Sequence, residues 1–415
     1  MADARALVDD LFRRESAHLV AALARLLGPA NLALAEDVVH DALVSAMQAW
    51  GSGPPDDPKA WILQVAKHRA IDRLRRERWL DAARPGLGAE WTLDGAIELA
   101  LSPEADAENQ LAMMFAICDD ALASDTHVTL ILRLLCGLSA AEIARAFLVD
   151  APTIDRRLHR GRARLQALGR LTDVHDAADV RARQPSVEHA LYLLFNEGYH
   201  GSDPDNPLQP AMCADALRLA ELLLTASAIE PRTVHALAAL FCFHGARLAT
   251  RLDDDGVVVP LEDQDRRRWD PSLIARGIAH LGAGATGDRW TRWHLEAAIA
   301  FEHTRAASLA DTDWPRVLAL YDALVDLSPG PIVALNRALA LAEVAGLDHA
   351  RAALDSLADD AKLASYSFYW AARADLERRA GRVADARAFY ERAIAVAKSR
   401  AERVSYERRM ASLEN

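Results

Sequence analysis

The sequence has few cysteines and lacks a long apolar run. None of its 415 residues belongs to an uncharged apolar stretch of the length that crosses a bilayer, about 18 to 20 residues, so we expect no membrane span. The amino terminus does not join a basic segment to an apolar one, as a signal peptide does, and we expect a cytoplasmic protein. The cysteines stand singly and without CxxC spacing, which favours small buried side chains over metal ligands: Cys118, Cys136, Cys213 and Cys242.

Strand signals and catalytic groupings are also scarce. Outside Val257 to Leu261, apolar residues recur at intervals of three and four, so we predict an all-α protein. His294, Glu296 and His303 are metal-ligating residue types, but their spacing does not give a helical i, i+4 histidine pair, and we interpret them as surface or core residues. No nucleophile or complete ligand set is visible, so we expect no enzymatic activity, no metal and no cofactor.

Basic residues are concentrated in two segments of an acidic chain. The net charge is −12, yet residues 59–80 and residues 153–170 each carry a net charge of +5, which leaves −22 for the rest. An acidic body repels polyanions, so any contact with nucleic acid should be confined to these two segments.

Glycine and proline divide the chain. The stretch GSGPPDDP at 51–58 is a loop, and residues 81–106 lose helical periodicity and read as a linker. We predict two small helical domains, residues 7–80 and 107–170. A connector at 171–185 then leads to a third, helical part at 186–415.

The carboxyl-terminal part is internally repetitive. Tyr321, Leu354 and Tyr390 mark equivalent positions 33 and 36 residues apart, close to the tetratricopeptide (TPR) period. This spacing predicts a solenoid of helical hairpins. In the last repeat, small and aromatic residues stand at the TPR offsets: Trp370, Ala374, Gly381, Ala386, Tyr390 and Ala393.

Residues 138–168 have the pattern of a helix-turn-helix. Ser139 and Glu142 have capping-box spacing at the start of the first helix. Leu148 stands where a glycine is common, so its backbone is expected to be left-handed. Asp155, Arg156 and His159 should share the exposed face at the start of the second helix, where a recognition helix meets base edges. Further round that helix lie residues suited to phosphates: Arg157, Arg160 and Arg164. A solvated arginine-rich helix in a structural bundle is the alternative.

The upstream basic segment predicts a second amphipathic helix. Its cationic residues point outward or lie at the helix end: Lys67, His68, Arg69, Arg73, Arg75, Arg76 and Arg78. Trp61 is expected in the core rather than as a stacking platform. A membrane-surface helix is the alternative interpretation.

Three segments resemble an RNA polymerase sigma factor of the extracytoplasmic-function (ECF) group. AEDVVHDALVSAMQAW (35–50) and AWILQVAKHRAIDRLRR (60–76) look like sigma region 2, and LSAAEIARAFLVDAPTIDRRLHRGRARL (138–165) looks like region 4. YLLFNEGYHGS (192–202) and LYDALVDLSPGPIVALNRALALAE (320–343) resemble the TPR-like extension of one ECF subgroup. The resemblance implies a protein that binds core polymerase and directs promoter-specific transcription initiation. An autonomous dimeric helix-turn-helix regulator with a TPR sensor is the alternative.

The resemblance also implies roles for individual residues. Glu36, Asp37 and Asp41 would meet the clamp helices of the beta-prime subunit, and the beta flap is a further implied contact; a solvated acidic face is the alternative. Lys67, His68, Arg69, Arg73 and Arg76 would engage the minus-ten element. Asp155, Arg156 and His159 would read the minus-thirty-five element, with Arg157 and Arg160 on phosphates.

A polar cluster in the extension has no clear counterpart in these roles. Asn196, Glu197, Gly198 and Tyr199 follow an apolar helix, and Gly198 suits a turn. A catalytic interpretation, with Glu197 as base and His200 as its partner, lacks a nucleophile. The cluster is expected to fix a bend or to form an intramolecular contact with the sigma domains. We hypothesise that the extension modulates promoter output from within the chain.

Overall fold

A computed structural model describes most of the chain, and all structural statements below concern these residues: 16, 19–24, 31–50, 53–76, 103–168, 176–201, 207–226, 228–287 and 289–414. Within them the chain is helical, as predicted, and it forms two compact units. The first unit runs up to Leu194 and takes in Thr225–Ile229. The second contains Phe195–Leu224 and Glu230–Asn415.

The first part of unit one is a helical pair. Helix α1 spans Leu32–Ala49 and packs against helix α2, which spans Pro58–Arg76. A helical stretch at 19–24 precedes them in the chain and is fully buried. Apolar residues at helical spacing make the shared core: Leu19, Leu23, Ala35, Val38, Val39, Ile62 and Ala66.

The second part of unit one contains helices α3 (Pro103–Ala116), α4 (Ser124–Leu134), α5 (Ala140–Ala146) and α6 (Ala151–Leu168). Helices α4, α5 and α6 contact one another pairwise. Helix α3 begins at Pro103, within the stretch expected to be linker.

Local sequence fixes the helix-turn-helix. The Ser139 hydroxyl accepts a hydrogen bond from the Glu142 amide, and the Glu142 carboxylate accepts one from the Ser139 amide, so the predicted capping box is present. Leu148 has a φ of 53°, the left-handed backbone expected at a position where glycine is common. This conformation costs on the order of 1 kcal/mol, which the packing of the motif must offset.

Helix α7, Ala177–Tyr199, differs from the predicted connector at 171–185. It starts at Ala177 and passes through Pro185, because side-chain contacts outweigh the breaker signal. Arg183 donates to the backbone oxygen of Phe115 at 3.2 Å, and the Ser186 hydroxyl lies 3.0 Å from that of Ser124. The division between the units falls inside this helix, between Leu194 and Phe195.

The second unit is a series of helices in which most pack against the next along the chain. Helices α8 to α18 span Pro210–Leu223, Pro231–Gly245, Pro271–Gly284, Arg292–Arg305, Trp314–Leu327, Pro331–Ala345, Leu347–Asp355, Ala361–Ala364, Ser367–Arg379, Val383–Val396 and Arg400–Ala411. Among the described residues no strand occurs: the strand signal at Val257 to Leu261 corresponds to one isolated antiparallel bridge, between Leu252 and Val258.

The repeat positions lie in the core of unit two. Ala374, Ala386, Tyr390 and Ala393 are fully buried where helices α16, α17 and α18 meet, and Gly381 turns the chain between α16 and α17 with a φ of 73°. Of the two earlier markers, Leu354 is buried in a second cluster, and Tyr321 is half-buried against a third.

The cysteines are buried free thiols, as predicted. Burial raises the pKa of Cys118, Cys213 and Cys242 to about 12, which makes these thiols poor nucleophiles. No helix in the described part of the chain has both the length and the apolar character needed to span a bilayer.

Candidate nucleic-acid interface

Helix α6 presents one exposed polar face. Ile154, Leu158 and Leu165 are buried, as the helical periodicity predicts. Exposed residues on the opposite side include the predicted base-reading set and one further arginine: Asp155, Arg156, His159 and Arg160. The Asp150 carboxylate accepts from the Thr153 amide at 3.1 Å, and the Thr153 hydroxyl accepts from Arg156 at 2.7 Å, which orients that guanidinium.

Two arginines of the same helix are held by acids of the domain. Arg157 lies 2.7 Å from the Asp125 carboxylate and stacks over the ring of Phe147, with 18% of its side chain exposed. Arg164 donates two hydrogen bonds to Asp119, and these hold the pKa of that carboxyl below its usual range. Both arginines were predicted to suit phosphates. The structure instead places Arg157 against the start of α4 and Arg164 against the turn before α4.

A cleft borders the exposed face. It has a volume of about 380 Å³ and lies between the start of α4 and the side chains of helix α6. The first amides of an α-helix and its dipole attract anions, and arginines line the opposite wall. Its lining residues are Ala123, Ser124, Asp125, Thr126, Thr153, Arg156, Arg157 and Arg160. The start of α4 was not identified from sequence, because its amides become part of a site only through the tertiary fold.

Helix α2 carries the second basic face. His68, Arg69 and Arg73 are exposed, Lys67 is half-buried, and the side chain of Arg76 lies outside the described residues. Arg69 donates to the Ser45 hydroxyl at 3.2 Å. Trp61, expected in the core, is half-buried and meets Trp50 edge to face, with ring centroids 5.6 Å apart.

The acidic residues of helix α1 lie in two environments. Asp37 and Asp41 are exposed, and the Arg73 guanidinium is 3.9 Å from Asp37. Glu36 is half-buried and accepts a hydrogen bond of 2.6 Å from Arg162 of helix α6. The first acid of the predicted polymerase-binding set is therefore paired with the helix-turn-helix.

The polar cluster of the extension lies in the last turn of helix α7. Gly198 is helical rather than a turn residue: a Cβ there would lie 2.9 Å from the backbone oxygen of Gln209 and from the Cys213 sulfur. Glycine is required because helix α8 crosses closely. Tyr199 is buried and stacks on Phe195 at 5.8 Å. Asn196 is half-buried and Glu197 is buried, and both lie next to this crossing.

The histidines weighed as metal ligands do not form a metal centre. His294 is buried, where its ring nitrogens bond the Thr291 hydroxyl at 2.8 Å and the Gly284 backbone oxygen at 3.1 Å. Within the described ranges, no group of three His, Cys, Asp or Glu side chains is placed to hold a metal ion.

The two domains of unit one each present a basic helix, and family models match both. Residues 11–80 match sigma-70 region 2, and residues 120–165 match sigma-70 region 4. These two domains are those of the sigma-70 class of proteins, and they support a sigma factor role. Residues 183–285 match a family of unknown function, DUF6596.

Two relatives extend the comparison. An uncharacterized protein of Rhizobium meliloti (strain 1021) is 36% identical over 375 residues, which cover 90% of this chain and 88% of that protein. The chain belongs to the same family as that protein. RNA polymerase sigma factor CnrH of Cupriavidus metallidurans is 28% identical over 141 residues, covering 32% of this chain and 72% of CnrH. The first alignment is too long to be confined to the sigma regions, so the family shares most of the extension.

Proposed function

We propose that the chain is an ECF-type sigma factor that directs core RNA polymerase to specific promoters, working in the cytoplasm. The observation that carries the proposal is the exposed face of Arg156, His159 and Arg160, in a domain that matches sigma-70 region 4. Arg156 and Arg160 also line the cleft beside the start of α4. The match to region 2 and the likeness to CnrH support the same role.

The region 4 face is proposed to read the minus-thirty-five element. Arg156 is suited to guanine, and Asp155 can accept from a cytosine amino group. Arg160 and the first amides of α4 would hold phosphates, which position the helix without reading sequence. Arg157 and Arg164, held by acids, are proposed to fix helix α6 in place instead of contacting DNA.

The region 2 face is proposed to engage the minus-ten element. His68, Arg69 and Arg73 give a cationic surface of the kind that binds single-stranded DNA. Lys67 and Arg76 are proposed to extend this surface.

The acidic face of α1 is proposed to meet the beta-prime clamp helices, with Asp37 and Asp41 as its exposed members. The beta flap is proposed to bind region 4. Glu36 would join the polymerase contact only after leaving Arg162. Such an exchange would favour the free protein over the polymerase-bound state, because the pair with Arg162 must break before Glu36 can bind polymerase.

The boundaries 7–80, 81–106, 107–170 and 186–415 remain our proposal for the domains. The order of helices in unit two and the buried repeat positions support the description of the extension as TPR-like. We propose that it modulates promoter output, through a ligand or through contact with the sigma domains.

Run-off transcription tests the proposal. Core polymerase would be supplied alone, with the full chain, or with the double variant Arg156→Ala/Arg160→Ala, on promoter regions of the genes that neighbour its own. We expect transcripts that require the chain and are lost with the double variant. The control is Arg267→Ala, which should leave transcription unchanged. This arginine lies in unit two, outside both basic helices, and 90% of its side chain is exposed.

A different result would favour the autonomous regulator. That class of protein binds duplex DNA without polymerase and needs a two-fold symmetric site. A mobility shift by the chain alone, with no transcript in the presence of core polymerase, would overturn the sigma proposal.

A further inference from the structure

Unit two contains a cluster of cationic and imidazole side chains. Arg251 lies over the ring of Tyr199 at 4.3 Å and is 3.3 Å from His200 Nδ1. The Tyr199 and His244 ring centroids are 5.2 Å apart. The six members come from the end of α7, the end of α9, the segment before α10, and α11: His200, His244, Arg247, Arg251, Arg266 and His303.

Trp269 ties the arginines together. Its buried ring lies 5.5 Å from the guanidinium carbon of Arg247 and 4.7 Å from that of Arg266. Arg266 also donates to the backbone oxygens of His303 and Ala306. Burial and then the charge on Arg247 lower the pKa of His244 and of His303, so Arg247 acts on both histidines. The cluster is therefore one site.

In the described part of the chain, no acidic side chain pairs with the arginines of this site. Arg247 donates to the Gln264 side-chain oxygen at 3.1 Å, and Arg251 donates to the Tyr199 backbone oxygen and His200. Among the described residues no carboxylate lies within ion-pair distance of Arg247, Arg251 or Arg266; Asp311 acts on Arg266 only from further away. Neighbouring arginines of this unit are paired, as Arg292 is with Glu296. Buried charges are ordinarily paired, because an unpaired one loses its hydration without compensation.

Several buried polar atoms of the site also lack partners. The Arg251 Nε, Arg266 Nη2 and Tyr199 hydroxyl groups are sealed from solvent and make no hydrogen bond. The Nδ1 atoms of His244 and His303 are likewise buried and make no hydrogen bond. Buried polar groups of native proteins are nearly always satisfied, so this set indicates a missing partner that supplies several acceptor oxygens.

The site reaches the protein surface at His200. Tyr199 is only 4% exposed, whereas His200, the next residue, is exposed. A small molecule would therefore enter the site, hereafter the recess, past His200.

We propose that this recess binds a small multivalent oxyanion, a compound with two or three negative charges carried by phosphoryl or carboxylate oxygens. Three guanidiniums match that charge, and their planar donors suit either group in a bidentate manner. Tyr199 and His200 belong to the polar motif that ends helix α7, so the motif supplies one wall of the site. The close crossing at Gly198 and the stack of Phe195 on Phe241, at 4.5 Å, hold that wall.

Calorimetric titration of the full chain tests the proposal. The probes are pyrophosphate and citrate, with sodium chloride at equal ionic strength as the control for salt. We expect saturable binding of one molecule per chain for at least one of the two probes, and the stronger one identifies the class. Failure of both to bind in the millimolar range would overturn the proposal, because this measurement needs no variant.

Variants then locate the site. Arg251→Gln and Arg247→Gln should each weaken binding by about 10- to 150-fold, the usual value of one hydrogen bond to a charged group. Arg267→Gln is the matched control and should bind as the natural chain does, because that arginine is exposed and paired with Asp265. His200→Ala, at the exposed mouth, covers the case in which a buried variant does not fold, and should weaken binding several-fold. Unchanged binding in all folded variants would overturn the assignment. None of these measurements uses polymerase, so their outcome is independent of the sigma proposal.

Discussion

Two arginine-rich surfaces of this molecule differ in how their charge is treated. On helix α6 the arginines are either exposed, as Arg156 and Arg160 are, or paired with an acid, as Arg157 and Arg164 are. In the recess of unit two, Arg247, Arg251 and Arg266 are half-buried and unpaired with any described acid.

The difference separates two kinds of binding surface. An exposed arginine keeps its hydration until it meets DNA, so an open surface of this kind has little effect on the stability of the protein. A recessed arginine without a counterion destabilises the fold until a ligand supplies one. The first arrangement suits a large polyanion, and the second suits a small anion that enters the protein.

The largest expected effect is on the open surface. Loss of Arg156 and Arg160 together should reduce promoter-specific transcription by at least about 30-fold, because each contact to a base or phosphate contributes about 1–3 kcal/mol. Thermal unfolding should be unchanged, since both side chains are exposed. Run-off assays and calorimetry of the same preparations measure the two quantities. A large loss of stability would contradict the assignment of these residues to an open face.

The second prediction concerns acid stability of the recess. Burial and the charges of Arg247 and Arg266 lower the pKa of His303 to about 4. Burial, together with the charges of Arg247, His200, Arg251 and His303, lowers the pKa of His244 well below its ordinary value. The unfolded chain therefore binds more protons than the folded one below pH 6.5, so stability should decrease as pH falls from 6.5 towards 4.

Scanning calorimetry at pH 7.5 and pH 5 checks this prediction. The unfolding temperature of the full chain should fall by about 5 °C or more, and His244→Gln should reduce the pH dependence. A bound polyanion favours protonated histidines, so it should also reduce the dependence. An unfolding temperature that is equal at both pH values would contradict the predicted loss of stability in acid.

A third, smaller effect distinguishes a ligand site from a structural one. In buffer without polyanions, Arg247→Met should raise the unfolding temperature by about 2–4 °C, because it replaces an unneutralised charge by an apolar side chain of similar length. Arg267→Met should change it little. A marked loss of stability in Arg247→Met would mean that the guanidinium is structural, and would weaken the contrast between the two surfaces.

Sequence predicted the features of the sigma regions that depend on local pattern. The capping box at Ser139, the left-handed Leu148 and the buried stripe of α6 follow from residues within one or two turns of each other. The same periodicity identified the exposed set that contains Arg156.

Features that depend on tertiary contacts were not predictable in this way. The acids that hold Arg157 and Arg164 lie 32 and 45 residues away in sequence, so nothing local distinguishes these arginines from Arg160. Helix α7 continues through Pro185 because of contacts to α3 and α4. The recess was missed because its members are spread from Tyr199 to His303 and converge only in the folded unit.

The smallest expected effect tests why Arg157 differs from its exposed neighbours. Its ion pair with Asp125 should appear in a double-mutant cycle as a coupling energy of about 1 kcal/mol, the upper range for partly exposed pairs. Arg157→Ala, Asp125→Ala and the double variant would be compared by urea unfolding of the full chain. The pair Arg160 and Asp125 is the control and should show no coupling. If Arg157 were instead a DNA contact, its loss would reduce promoter binding without changing the free energy of unfolding, and the coupling with Asp125 would vanish.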